Sequence, residues 1–257
     1  MTYDKPLKPP FGRIGNKFKL RYKIVKLIPQ HKIYVEPFAG SGAIFFNKEK
    51  ADINVLNDLN KDVIKRFRMV RNAPSDLSTY KQDLNTISKL KKFYTNHSNS
   101  KQDKLLMEHI RISNGFNGKT ADKVSQIYKP HNPFTFLMHI REYKSLLKGV
   151  KLSSKDYEDV IHTWDSHETF FFIDPPYENT NAYFDYAESS EFDFVRLYDT
   201  LHKIKGLFML TINDSQYIRK LFKDYYIKKI NVHQYWGNAI GEKNEPRKEL
   251  IIMNYKL

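Results

Sequence analysis

An aspartate, two prolines and a tyrosine follow directly on four apolar residues in Phe170-Phe171-Phe172-Ile173-Asp174-Pro175-Pro176-Tyr177. Three aromatic residues and one β-branched residue in a row read as a strand buried on both faces. The prolines end it, because they lack the N–H that a central ladder needs. Asp174 and Tyr177 therefore stand at the carboxyl end of a buried strand, where open α/β sheets keep their ligand crevice. A carboxylate, the carbonyl acceptors that Pro175 and Pro176 leave on a stiff backbone, and an aromatic ring together suit a planar base with an exocyclic amine. The acceptors take its N–H groups and the ring stacks on it. The plainer reading is a strand closed by a Pro-Pro turn with a capping Asp, and the rest of the chain decides between the two.

A second constellation lies near the amino end. Lys32-Ile33-Tyr34-Val35 reads as a strand running into Glu36-Pro37-Phe38-Ala39-Gly40-Ser41-Gly42, with a helix beginning over Ala43 to Phe46. Strand, Gly-rich turn and helix let a nucleotide-like ligand approach the backbone closely. Neither the three-glycine dinucleotide fingerprint nor the Lys-Ser/Thr of a phosphate loop is present. The next strand, Ile53-Asn54-Val55-Leu56, ends in Asn57-Asp58-Leu59-Asn60, which puts Asp58 18 residues after Gly40. That is close to where an acidic residue holds ribose hydroxyls in βαβ nucleotide sites. A glycine pocket with a ribose-binding acid and no phosphate cradle favours a nucleoside-type cofactor; the alternative makes Asp58 a cap for a helix over 61–71. Upstream, Leu20, Ile24, Leu27 and Ile28 recur at helical spacing behind Arg13-Ile14-Gly15-Asn16-Lys17. Lys17 then sits at or just before a helix amino terminus, where an ammonium and backbone donors meet an anionic group such as a carboxylate.

The elements that must position these residues form a βαβ pattern with an interruption. Residues 61–150 read as helices around Val63–Val70 and Leu84–Leu90, a polar loop from Thr95 to Lys104, and helical character again from Leu105 to Ile112. Ser113 to Lys119, rich in Asn and Gly, reads as a loop or hairpin able to reach into a groove. The α/β pattern resumes with a strand over Val150-Lys151-Leu152, which leads to Asp156-Tyr157. After Tyr177 the polar and aromatic run Glu178 to Glu191 has the composition of a mobile loop over a site. A helix over Phe192 to Ile204 and a buried strand over Leu207 to Ile212 follow, the latter ending in Asn213-Asp214-Ser215. Tyr225 to Val232 and Glu249 to Tyr255 are two strands joined by a stretch too polar for a crossover helix, so they pair antiparallel at one side of the sheet.

The 257 residues, 40% hydrophobic with 35 Phe and Tyr, fit one large domain or a domain carrying an insertion. The chain has no cysteine, which excludes disulfides and thiolate metal sites. Its nine histidines show no metal-ligand spacing, no metal site is expected, and no Ser-His-Asp arrangement can be assembled. Without a signal-like apolar run or an 18-residue apolar stretch, a soluble intracellular protein with no membrane partner is expected. The net charge of +14 is unevenly placed: residues 61–150 carry 18 Lys and Arg against 7 Asp and Glu, and residues 1–30 carry 8 against 1. A basic excess confined to part of a chain suggests a polyanion-binding face.

Glu36-Pro37-Phe38-Ala39-Gly40-Ser41-Gly42, Asn57-Asp58-Leu59-Asn60 and Asp174-Pro175-Pro176-Tyr177, in that order, resemble the Dam-type (D12 class) DNA-adenine N6-methyltransferases. Gly15-Asn16-Lys17 takes the place of that family's amino-terminal Gly-Gly/Asn-Lys. The resemblance implies a Rossmann-like S-adenosylmethionine-dependent methyltransferase sheet, mostly parallel with one antiparallel pair. Residues 1–60 and 148–257 would form this discontinuous catalytic domain, and 61–147 an inserted, mainly helical DNA target-recognition domain. Phe38, Gly40 and Gly42, with Glu36, would line the S-adenosylmethionine site, and Lys17 would lie near its methionine part. Asp58 would hold the ribose, and Asp156 and Tyr157 would sit beside the cofactor adenine. Asp174, Pro175, Pro176 and Tyr177 would hold a target adenine flipped out of duplex DNA. The implied partners are double-stranded DNA and a cognate restriction endonuclease sharing the site. A monomer or weak dimer in the cytoplasm, on the nucleoid, would suffice. In the middle of the chain, Arg111 to Asn117 departs from the family's pattern, so no target sequence is carried over.

Two rivals share these residues. An N4-cytosine DNA methyltransferase needs the same acceptors for its exocyclic amine, although Asp at position 174 favours adenine. An RNA adenine methyltransferase fits Tyr177 and the basic insertion less well. A catalytically silent DNA-binding protein on the same fold is the reading from another class.

Overall fold

Thr169–Ile173 is buried at every position, and as strand β4 it holds the middle of the sheet. The computed structural model describes residues 6–13, 15–74, 88–89, 92, 95, 100, 103–107, 109, 134–177, 192–232 and 247–256. Two compact units divide the chain: Met1–Lys19, Gly40–Lys50 and Asn60–Leu152 form one, and Leu20–Ala39, Ala51–Leu59 and Ser153–Leu257 the other. The expected loops at Ser113–Lys119 and Glu178–Glu191 lie outside the described residues.

The second unit is built on the sheet. The strands of the sheet are β1 (Ile33–Glu36), β2 (Ile53–Asn57), β3 (Lys151–Ser153, at the boundary of the two units), β4, β5 (Leu207–Asn213), β6 (Tyr226–Val232) and β7 (Arg247–Met253). Their order is β3-β2-β1-β4-β5-β7-β6. The pairs β1–β2, β1–β4 and β4–β5 are parallel, whereas β7 runs antiparallel to both β5 and β6. From β1 the chain moves outward to β2 and β3, then returns to β4 on the other side of β1, so the strand order reverses between β1 and β4. Such a reversal leaves a crevice at the carboxyl ends of the strands. The expected antiparallel pair is present, and β7, last in the sequence, lies between β5 and β6.

Apolar spacing seats the helices on this sheet. Tyr157, Val160 and Ile161 are the buried face of the helix Tyr157–Trp164, and Phe194, Leu197 and Leu201 that of Phe194–His202. Each starts on an aspartate whose side chain accepts a backbone N–H of the first turn: Asp156 from Glu158 and Asp193 from Arg196. Ser215 caps the short helix Gln216–Leu221 in the same way. Among the described residues no helix is long and apolar enough to cross a membrane.

In the first unit, the helix Lys61–Arg71 buries Val63, Ile64, Phe67 and Val70, and the helix Ile140–Leu147 buries Ile140, Tyr143, Leu146 and Leu147. Asn60 caps the former. The segment before this helix pair is also pinned: Leu7 and Phe11 are buried, Phe11 packs on Phe67, and the Tyr143 hydroxyl donates to the Lys8 carbonyl. Where a helix was expected from Ala43, there is one 3-10 turn over Phe45–Asn47. The Asn47 amide donates to the carbonyls of Ala43 and Leu7, taking the acceptor at i−4 that a continuing helix needs for its own backbone.

Candidate active site at the carboxyl edge of the sheet

Strand order brings the chemistry of the second unit to one edge of the sheet. Val35 lies opposite Phe171, and Glu36 opposite Leu56. Beyond β1 the chain turns, and the Ala39 N–H donates to the carbonyl of Asn57, the last residue of β2. Ile173 lies opposite Leu210, so Asp174 is level with Thr211. Asp58 follows directly on β2 and Asp174 on β4, the two strands that flank β1, whose axes lie two strand spacings, about 10 Å, apart.

Asp174 is half-buried, while Pro175 behind it is buried. The hydroxyl of Thr211, a fully buried residue of β5, donates to Asp174 Oδ1 at 2.8 Å. Tyr177 packs partly against the main apolar core. Glu36, buried at the end of β1, accepts the Tyr34 hydroxyl at 2.7 Å. Burial, and then the Glu36 charge, push the Tyr34 phenol well above its ordinary range.

Asn57 ends β2 and Asp58 follows it, and both are buried. The Asn57 amide nitrogen donates to the carbonyls of Pro37 and Lys155, and its Oδ1 accepts the Ser153 hydroxyl and the Lys155 N–H. Four bonds from one side chain fix the turn after β1 to the segment that leads into Asp156. Tyr157 packs its ring 5.2 Å from that of Phe38 and 5.8 Å from that of Phe192, which also meets Phe38. Its hydroxyl is buried and has no hydrogen-bond partner among the described residues. Arg196 forks onto both oxygens of Asp156 at 2.7 and 3.1 Å, reaches Glu158 at 2.8 Å, and places its guanidinium 5.0 Å from the Tyr157 ring centre. Burial raises the Tyr157 phenol, and the two carboxylates raise Arg196 further above its already high range.

Three of the residues singled out from sequence belong to the first unit. Gly40 and Gly42 have φ of 51° and 69°, the left-handed region that glycine tolerates without strain. A Cβ on Gly42 would lie 3.1 Å from the Phe46 ring and 3.3 Å from that of Phe67, so packing alone requires glycine there. A Cβ on Gly40 would meet Arg13 Cδ at 3.8 Å, an ordinary contact. Ser41 between them is buried, and its hydroxyl has no partner among the described residues. Lys17 is also buried, its ammonium on the Gly15 carbonyl at 2.9 Å.

The second unit therefore gathers Glu36, Phe38, Asp58, Asp156, Tyr157, Asp174 and the two prolines with Tyr177; Lys17, Gly40 and Gly42 stand in the first. Sequence reasoning missed Thr211, Asn57 and Arg196. Thr211 carries the one hydroxyl in an otherwise apolar run, and Asn57 is an amide at the end of a buried strand. Both were signals, but their partners are far away along the chain. The edge offers carboxylates at the ends of the two strands that flank β1, with aromatic rings beside them, which suits two flat, amine-bearing groups.

Known proteins match most of the chain. The chain is 25% identical to the type II methyltransferase M.MjaIII of Methanocaldococcus jannaschii, over 97% of this chain and 99% of that protein. It is 27% identical to the type II methyltransferase M1.LlaDCHI of Lactococcus lactis subsp. cremoris, over 96% and 95%. It is 26% identical to the DNA N-6-adenine-methyltransferase of Escherichia phage P1, over 87% of this chain and 33% of that protein. Residues 14–235, from just before Lys17 to beyond the Asp-Pro-Pro-Tyr edge, match one family throughout, and the chain belongs to it: the D12 class N6 adenine-specific DNA methyltransferases.

Proposed function

We propose that Asp174, Pro175, Pro176 and Tyr177 hold the target adenine, and that Glu36, Phe38, Asp58, Asp156 and Tyr157 form the cofactor side of the same sheet edge. Family membership fixes the reaction as methyl transfer to N6 of adenine in DNA, over the cytosine and RNA alternatives, with S-adenosylmethionine as donor. When bound, that cofactor supplies an electrophilic methyl group on a sulfonium. The residues present fit it chemically. Asp58 is a buried acceptor for a ribose diol, Phe38 and Tyr157 offer aromatic rings beside a buried hydroxyl that has no partner among the described residues, and Lys17 suits a carboxylate. Gly40 and Gly42 complete the reading from the turn.

Adenine N6 is a poor nucleophile because its lone pair is delocalised into the ring. Asp174 and the Pro175 carbonyl, both acceptors, take its two N–H groups and draw the nitrogen toward tetrahedral geometry, which exposes the lone pair. Catalysis is then positioning and electrostatic pre-organisation rather than strong base. Since N6 is unreachable within a duplex, the base leaves the stack and rests on Tyr177, at a cost of roughly a few kcal/mol. Phosphate contacts from a basic target-recognition insertion over 61–147 offset that cost. The type II names of the relatives support a cognate restriction endonuclease as partner, and one-site methyl transfer on nucleoid DNA requires only a monomer.

The observation that carries this reading is the place of Asp58 and Asp174 directly after β2 and β4, at the carboxyl ends of the two strands that flank β1. Asp174→Ala tests it: methyl transfer to duplex DNA falls by at least about a hundredfold while S-adenosylmethionine affinity stays within about twofold of wild type. Wild-type turnover in that variant, measured as N6-methyladenosine after digestion to nucleosides, would remove the assignment.

A further inference from the structure

We infer that Thr211 is a positioning residue for methyl transfer, aligning the Asp174 carboxylate through its hydroxyl; this rests on the reading of Asp174 above. Thr211 is completely buried on β5, between β4 and β7, and is level with Asp174 across the β4–β5 ladder. Its single hydroxyl proton has two acceptors in reach, Asp174 Oδ1 at 2.8 Å and the Ile173 carbonyl at 3.5 Å. The shorter contact is the hydrogen bond; the longer is at the outer limit of one. A β-branched side chain in a packed strand has little rotamer freedom, so the hydroxyl is a fixed point. Asp174 is held from the other direction by the chain, since a residue before proline is confined to extended backbone. Backbone and hydroxyl together set the plane of the carboxylate, and Thr211 does so without bringing a charge that would neutralise it. The other oxygens of the β4 end then face a base edge in one orientation rather than several.

Two substitutions separate this role from packing. Thr211→Val keeps the branched shape and removes the hydroxyl; Thr211→Ser keeps the hydroxyl and removes a buried methyl. If Thr211 only fills space, activity follows stability, and the valine variant is the better enzyme. If it aligns Asp174, the order reverses. Thr211→Val loses roughly ten- to a hundredfold in kcat, the worth of one hydrogen bond to a charged group, with KM for S-adenosylmethionine within about twofold of wild type. Thr211→Ser unfolds at lower temperature yet recovers most of kcat. In an Asp174→Ala background, adding Thr211→Val changes nothing further. Turnover retained by Asp174→Ala itself would overturn the reading of Asp174. An inactive Asp174→Ala beside a fully active Thr211→Val, or a serine variant no better than valine, would overturn the inference for Thr211 alone.

Discussion

Gly40 and Gly42 sit two residues apart in one turn, both with positive φ, and alanine at each should cost very different amounts. The shared part is backbone: an L side chain in the left-handed region costs roughly 1–2 kcal/mol. Gly40→Ala carries little more, because its Cβ would meet Arg13 Cδ at 3.8 Å, a normal van der Waals distance. Gly42→Ala adds a methyl 3.1 and 3.3 Å from Phe46 ring carbons and 3.3 Å from Phe67 Cζ. Both rings are fully buried, and Phe67 is further pinned by Phe11 at 5.0 Å, so neither can swing aside. Overpacking of this kind costs about 1–3 kcal/mol, which brings Gly42→Ala to roughly 2–5 kcal/mol in total. Urea unfolding at constant m-value reads both numbers directly. Equal losses for the two variants, or a Gly42→Ala loss below about 1 kcal/mol, would refute the packing argument. The same pair tests the proposed cofactor role. At temperatures where both variants are folded, Gly40→Ala should weaken S-adenosylmethionine binding out of proportion to its small stability loss, as titration calorimetry would show.

Two further outcomes follow from polar groups elsewhere at the sheet edge, one buried and one partly exposed. Asn57→Ala strips partners from the Pro37 and Lys155 carbonyls, the Ser153 hydroxyl and the Lys155 N–H, and should destabilise by about 2–4 kcal/mol in chemical denaturation; a loss within 0.5 kcal/mol, as at an ordinary surface site, would contradict its bridging role. Asp214 accepts a fork from Arg219 at 2.6 and 2.9 Å, which holds its carboxyl below the usual 3.8. A depressed carboxyl contributes stability above its unfolded pKa and loses it as pH falls through the folded one. Asp214→Asn should therefore be less stable than wild type at neutral pH, with the gap closing below about pH 4. Thermal unfolding across pH checks the sign, and a gap that instead widened in acid would be the wrong one.

Much of the fold could be read along the chain because its signals are local. Four apolar residues before two prolines fixed β4 and its end, and the 3.6-residue recurrence of Val63, Ile64, Phe67 and Val70 fixed the helix Lys61–Arg71. Alternation of strands with helices gave the parallel sheet, and a stretch too polar to cross over gave the antiparallel pair. The family resemblance likewise rested on contiguous motifs. What the linear pattern left open were choices of partner. Any of several strand orders satisfies the same burial pattern, and only packing placed β7 between β5 and β6. Thr211 and Asp174 lie 37 residues apart, Asn57 and Lys155 98, and Arg196 and Asp156 40. A hydroxyl in an apolar strand, an amide at a strand end and an arginine on a helix look alike whether or not they have such partners. The reason is physical: burial depends on a residue's own type and near neighbours, whereas a hydrogen bond depends on register. Register and strand order belong to the assembled sheet, which sets Asp58 and Asp174 at the ends of the strands flanking β1 and puts the Thr211 hydroxyl against the carboxylate.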